Sequence, residues 1–323
     1  MNRMLMPMAA LCAALSVSVS AAAADGVVKI TPLGGVDGEF CRLDRALVFE
    51  DPDGTRLLYD AGRSVAGADD PRLGDIDALL VSHMHGDHVG NRHMAAVNSG
   101  TCGAPDMSVD ATPDSNTVRI ALAKGAKIVT GSEMPRWFAG RLKANGGDPK
   151  DSLLVRFGAS RDIGGVSITT VPAAHSNGLA ADFLPHPLAG FMKEAGITAY
   201  VGPPTGYVMT FSNGLVVYLS GDTGITAEQD TVVRGHYGAE LAVINIGNTF
   251  TTGPVEAAYV VNELVKPNAV IASHANEEAT RDGAVLPGTR TEIFMGAATM
   301  PVHVPLSGVT MSFDGAGTCV EGC

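Results

Sequence analysis

Residues 83–88 read His-Met-His-Gly-Asp-His, so four ligand-type side chains fall within six positions. They follow directly on residues 76–81, an apolar run interrupted only by Asp77 that reads as a buried strand. This order restricts the fold, because the strand must end at a sheet edge where imidazoles and a carboxylate converge. In an extended or tightly turning loop, His83 and His85 point the same way and can grip one metal ion. Asp87 and His88 swing round the turn and can face a second. Gly86 interrupts the cluster and predicts a turn there rather than a helix. A lone histidine is ordinarily a hydrogen-bonded core residue, but this chain has 9 histidines and places 3 in one window. Imidazole with carboxylate suits zinc, with manganese or iron as alternatives.

The rest of the chain supplies partners at other strand ends. Apolar, β-branched runs predict strands at 27–31, 46–49, 56–59, 127–130, 152–157, 166–171, 207–211, 215–219, 241–246 and 269–272. Helical patterning covers 117–124, 133–144, 254–264 and 291–298, while 98–116 and 178–206 read as irregular. A hairpin-rich first half and a mixed second half, without repeats or a linker, predict one α/β domain over 25–323 with two sheets between helices. His175 lies just past the strand at 166–171, Asp222 past 215–219, and His274 past 269–272. Sheets of this class place their sites at such ends. Together with the 83–88 cluster these residues complete a set for two divalent ions.

The pattern His-x-His-x-Asp-His at 83–88, followed by His175, Asp222 and His274, resembles the metallo-β-lactamase-fold hydrolase superfamily from about Val27 to His303. The resemblance implies a four-layer αββα sandwich of two mixed sheets with metals at one edge. It also implies ligand roles: His83, His85 and His175 for a first ion, Asp87, His88 and His274 for a second, and Asp222 bridging both. Residues 250–258 and 264–271 are similar to the branch related to L-ascorbate-6-phosphate lactonase, many members of which are known only as metal-dependent hydrolases. The sequence departs from that branch at Ala275-Asn276-Glu277, where a Tyr- or Trp-Gly-Thr tripeptide is common. Substrate identity therefore does not carry over. True β-lactamases of the fold generally lack an acidic bridge at the position of Asp222, which argues against antibiotic hydrolysis.

Two cations sharing a water would lower its pKa from about 15.7 towards 7, giving a hydroxide that attacks a carbonyl or phosphoryl centre. Asp87 is expected to act both as ligand and as orienter or proton acceptor. Ser82, Ser176, Thr223 and Ser273 adjoin ligands and are candidates to hold the imidazoles in place. His93 is expected on the next helix in a surface or capping role, and His186, His236 and His303 to be structural or exposed. Residues 178–206 carry Phe183 and Phe191 and read either as a lid over the metals or as packing on the core or a dimer partner. Trp137 is expected in a helix interface.

Composition narrows partners and address. With 46% hydrophobic and 17% charged residues the chain is neither disordered nor a coiled coil. At 323 residues it can bury a core without a metal staple. Arg3, the apolar run 11–19 and Ala21 to Ala24 predict a signal peptide over 1–24, too short to span a bilayer. An exported protein, periplasmic or extracellular and without a membrane anchor, is expected. The formal net charge of −12 repels phosphate backbones, so a small-molecule substrate is expected and nucleic acid is not. Oligomeric state is open. Past the leader, Cys41, Cys102, Cys319 and Cys323 permit two disulfides, with Cys41–Cys102 plus a terminal loop favoured over free thiols. Acidity and the lack of an obvious Lys/Arg cluster near the ligands, Arg63 apart, favour a small ester or lactone. A phosphodiester and a non-catalytic metal-binding role are the alternatives.

Overall fold

The structure is a computed structural model that describes residues 26–323; the leader expected at 1–24 lies outside the described residues. The predicted apolar runs form strands β1 (Val28–Leu33), β2 (Ala46–Glu50), β3 (Arg56–Tyr59), β4 (Ala78–Leu80), β5 (Lys127–Thr130) and β6 (Ser152–Leu154) of a first sheet. A second sheet takes β7 (Ser160–Ile163), β8 (Val166–Pro172), β9 (Thr205–Thr210), β10 (Val216–Leu219), β11 (Leu241–Asn245), β12 (Ala269–Ser273) and β13 (Val302–His303). The chain then returns to the first sheet with β14 (Met311–Phe313) and β15 (Cys319–Glu321). The strand orders are β15-β14-β1-β2-β3-β4-β5-β6 and β13-β12-β11-β10-β9-β8-β7. Both sheets are mixed: antiparallel hairpins pass into parallel strands at β3–β4 and again at β10–β11.

Side-chain alternation sorts residues into three cores. Leu47 and Phe49 of β2 meet Leu241 and Val243 of β11 between the sheets. Ala46 and Val48 turn outward beneath the helices Asn116–Lys124 and Met134–Ala144. Ala242 and Ile244 turn the other way, under Val233, Val261 and Phe294 of the helical segments outside the second sheet. Helix, sheet, sheet, helix is the four-layer order expected. Local signals set the helix ends: the Ser115 hydroxyl accepts the Val118 N–H, and Gly125 closes the same helix in the left-handed region.

Residues 178–206 fold into a two-stranded pair, Gly178–Leu179 with Ala199–Tyr200, and a helix, Leu188–Ala195. Phe183 is buried outside the first sheet, its ring 5.5 Å from Trp137. Phe191 is 65% exposed. Cys41 pairs with Cys102 and Cys319 with Cys323. Among the described residues no helix is long and apolar enough to cross a membrane.

Candidate metal centre

The chain leaves β4 through Val81 and Ser82 and reaches His83, which is fully buried. The turn expected at Gly86 is instead a one-turn helix, Gly86–Val89, with extended His85 before it. Glycine starts this turn rather than breaking it, because a Cβ at Gly86 would sit 2.6 Å from the Asn91 amide group. Gly90 ends it at φ 74°. This geometry sends His83 and His85 to one side and Asp87 and His88 to the other. The buried Asn177 Oδ1 accepts the Met84 N–H at 2.9 Å, tying the loop that carries His175 to the turn.

The structure brings all seven candidate residues together. His83 Nε2 and His85 Nδ1 are 2.9 Å apart, and His175 Nε2 lies 3.3 Å from the same His85 nitrogen. On the other side Asp87 Oδ2 is 3.6 Å from His88 Nε2 and 3.5 Å from His274 Nε2. Asp222 lies between the groups: Oδ2 is 3.1 Å from His274 Nε2 and 3.7 Å from His175 Nε2, and Oδ1 is 3.4 Å from His88 Nε2. The sets His83–His85–His175 and Asp87–His88–His274 each place their ligand atoms within 4.8 Å of one another.

Electrostatics favour the metal-ready protonation states at five of the seven residues. At His88 burial is outweighed by Asp222, Asp87 and Asp60, which hold the imidazole well above its usual range, so a cation would have to displace that proton. Burial, with the neighbouring His88, holds His83 well below the usual imidazole range, and burial lowers His85 and His175. Burial opposes ionisation of Asp87 and Asp222, yet nearby His88 and His274 outweigh it and hold both well below the carboxylate range. His88 Nε2, both ring nitrogens of His274 and Asp222 Oδ1 are buried without hydrogen-bond partners among the described residues. Unpartnered buried polar atoms are costly and rare. His88 Nε2, His274 Nε2 and Asp222 Oδ1 face the ligand cluster and would be satisfied by divalent cations there, so the donor set fits the implied metals. His274 Nδ1 points away towards Gly247.

Of the four expected supporting residues, Ser82 and Ser176 reach a ligand imidazole and Thr223 and Ser273 do not. Ser82 Oγ donates to Asp60 Oδ2 at 2.7 Å and lies 3.0 Å from His83 Nδ1, while Ser176 Oγ is 3.4 Å from His85 Nε2. Thr223 does not touch a ligand; its hydroxyl accepts the Ala174 N–H and donates to the Gly224 carbonyl. Ser273 uses its backbone carbonyl to accept the Ile246 N–H. His93 is on a short strand, not a helix, and is buried with Nδ1 2.8 Å from the Met94 carbonyl. Asp60 is the residue that sequence reasoning missed: buried past β3, its Oδ2 accepts from His88 Nδ1 at 2.8 Å.

A cavity of about 590 Å³ opens over the centre, lined by Asp87, His175, Asp222 and His274. No residue of 178–206 lines it. Arg42, Arg45, Arg63 and Arg290 do, which corrects the expectation that basic side chains are sparse here. The four come from distant segments, so spacing along the chain could not show them as a group. Arg45 is buried and donates through its NH2 to Asp87 Oδ2 at 3.3 Å and to Asn276 Oδ1 at 2.7 Å.

A model of the β-lactamase superfamily domain matches residues 55–275, from β3 through the loop that carries His274. The chain belongs to the β-lactamase superfamily. Among superfamily relatives, a UPF0173 metal-dependent hydrolase of Cupriavidus necator is 29% identical over 75% of this chain and 71% of its own length. Another, from Koribacter versatilis, is 25% identical over 81% of this chain and 91% of its own length. The fold is shared with Igni18, a metallo hydrolase of Ignicoccus hospitalis (TM-score 0.54, 19% identity, covering 89% of this chain and 99% of that one). It is shared also with the metallo-β-lactamase-fold protein YhfI of Bacillus subtilis (TM-score 0.54, 13% identity, 88% and 99%).

Proposed function

We propose that this superfamily member is a dinuclear, zinc-dependent hydrolase of a small ester or lactone. The observation that carries the reading is the convergence of unpartnered buried histidine nitrogens and Asp222 Oδ1 beneath an open cavity. His83, His85 and His175 would hold one ion, Asp87, His88 and His274 another, with Asp222 reaching both. Bound there, divalent cations supply Lewis acidity that ionises water near neutral pH and polarises a carbonyl or phosphoryl oxygen. The chain contributes orientation and charge. Asp60 and Ser82 fix the His88 and His83 rings, and His88, His274 and Arg45 hold Asp87 ionised against its burial, ready to orient a water or take its proton. The relatives, metal-dependent hydrolases by name, support hydrolysis.

The ester or lactone preference rests on the acidity of the chain, whose formal net charge is −12. The arginines favour a second reading, a small phosphodiester, because guanidinium groups match phosphate oxygens. Export is part of the proposal, supported by the leader-like segment at 1–24 and by the Cys41–Cys102 disulfide, which suits an oxidising compartment. The test is metal analysis followed by turnover of lactones, aryl esters, bis-aryl phosphodiesters and β-lactams. Turnover of one class, lost on chelation and reduced at least a hundredfold by Asp87→Ala, is the expected result. Full zinc occupancy with no turnover of any class would replace the hydrolase with a binding protein.

A further inference from the structure

Residues 275–277, where the sequence departs from the lactonase-like branch, hold two arginines of the cavity. The Asn276 amide oxygen accepts from Arg45. The Ala275 carbonyl accepts from Arg290 NH1 at 3.0 Å, and Glu277 Oε2 lies 3.4 Å from the same nitrogen. Glu277 Oε1 also accepts the Arg290 backbone N–H at 2.6 Å, anchoring this residue at the first position of helix Arg290–Ala297. Both terminal nitrogens of Arg45 are engaged, with Asp87, Asn276 and two backbone carbonyls, and its Nε is buried away from solvent without a partner among the described residues, so its charge serves Asp87.

Arg290 and Arg63 are different. Each is anchored along one edge and leaves part of its donor fork without a partner among the described residues. Arg290 engages NH1 but not NH2, and Arg63 engages only Nε, which donates to Asn91 Oδ1 at 2.9 Å. Both are half-buried and line the cavity that holds Asp87, Asp222 and His274. The same cavity carries the Asp87 and Asp222 carboxylates, and Arg290 is 3.4 Å from Glu277, so what the two guanidinium groups offer an anion is their open donors rather than a net positive field. A fork fixed on one side and open on the other is pre-organised for a second, planar or tetrahedral, anionic partner.

We propose that Arg290, positioned by Ala275 and Glu277, forms with Arg63 an anion-recognition subsite beside the metal centre. The substrate is then a small molecule bearing a carboxylate or phosphate group separate from the scissile bond. This rests on the hydrolase reading for the word substrate but not for the binding of the anion.

The test uses the zinc-loaded protein in two measurements. In the first, kcat/KM is compared for a neutral aryl ester, the matching ester with a carboxylate on its acyl chain, and the matching ester with a phosphate there. The anionic esters are expected to be preferred about tenfold or more at low salt. Arg290→Leu or Arg63→Leu should lower the ratio of anionic to neutral about tenfold, Arg290→Lys less, and Glu277→Gln by an intermediate amount. In the second, inorganic phosphate and succinate are titrated by calorimetry, and Arg290→Leu should weaken whichever anion binds about tenfold at unchanged zinc content. The stronger arm assigns phosphate or carboxylate. Turnover without charge preference, or a preference and an affinity that survive both leucine variants, overturns the subsite while the hydrolase stands. Anion binding that depends on Arg290 without turnover of any ester keeps the subsite and removes the ester-hydrolase reading. Should a leucine variant lose zinc or unfold, Arg290→Lys decides by the same ratio.

Discussion

Asp60 stands behind the candidate metal centre. Its two oxygens take the Ser82 N–H, the Ser82 hydroxyl and His88 Nδ1, so the His88 ring is left with Nε2 facing the ligand cluster. Groups in this position, behind a ligating imidazole, change metal affinity about 10–100-fold when removed. Asp60→Ala is therefore expected to weaken zinc binding on that scale, read by competition with a chromophoric chelator, with Asp60→Asn intermediate. The signal for Asp60 was present, since it follows the end of β3 as Asp222 and His274 follow the ends of β10 and β12. A second carboxyl is tuned in another direction: burial pushes Asp44 up to about 6, against the Cys41 and Gly35 N–H donors that lower it. A carboxyl raised from 3.8 to about 6 binds its proton more tightly folded than unfolded. Its contribution to stability is full below pH 3.8, declines as pH rises, and is lost above about 6. At about 1.4 kcal/mol per unit the decline is about 3 kcal/mol. The unfolding free energy of the wild type relative to Asp44→Asn should therefore fall by about that amount between pH 3.5 and 6.5, measured by urea titration.

At the scale of elements, what could be read from sequence followed burial. β3 and β5 match their predicted ranges because apolar or β-branched residues fill every buried position, and the ligands after β4, β8, β10 and β12 were placed by those strands. β7 was not read: of Ser160, Arg161, Asp162 and Ile163 only the last is buried, so no alternation marks it. The π-helix Gln229–Tyr237 escaped for a similar reason, burying just Gln229 and Val233. Gly86 was misread because glycine was weighed as a breaker, whereas packing against Asn91 selects it at the start of a turn. Gly90 is the stricter position. A Cβ there would lie 2.4 Å from the Gly62 carbonyl oxygen and 2.5 Å from Asn116 Cβ, at φ 74°. Gly90→Ala is expected to cost about 2–4 kcal/mol in urea unfolding, from left-handed strain and overpacking together.

At the scale of the whole molecule, the two sheets share an apolar interior, and the ligand turns gather at one end of it. His83, His85, Asp87 and His88 leave the first sheet, while His175, Asp222 and His274 leave the second. Ions that bind only the folded state add about 4 kcal/mol at a thousandfold excess over Kd. Chelation is therefore expected to lower Tm by on the order of 5–10 °C, reversed by returning zinc. The Cys41–Cys102 bond closes a sequence separation of 61 residues beside Arg42 and Arg45. Its removal by Cys102→Ser should cost about 2–5 kcal/mol, seen as a lower urea midpoint. Because the ligands come from both sheets, a cation would belong to neither: it would act as a hasp across the open mouth of the sandwich. A small molecule competing for the ions would then loosen the barrel of the lock as well as blocking the keyhole, and inhibition by chelators would be felt in the scaffold itself.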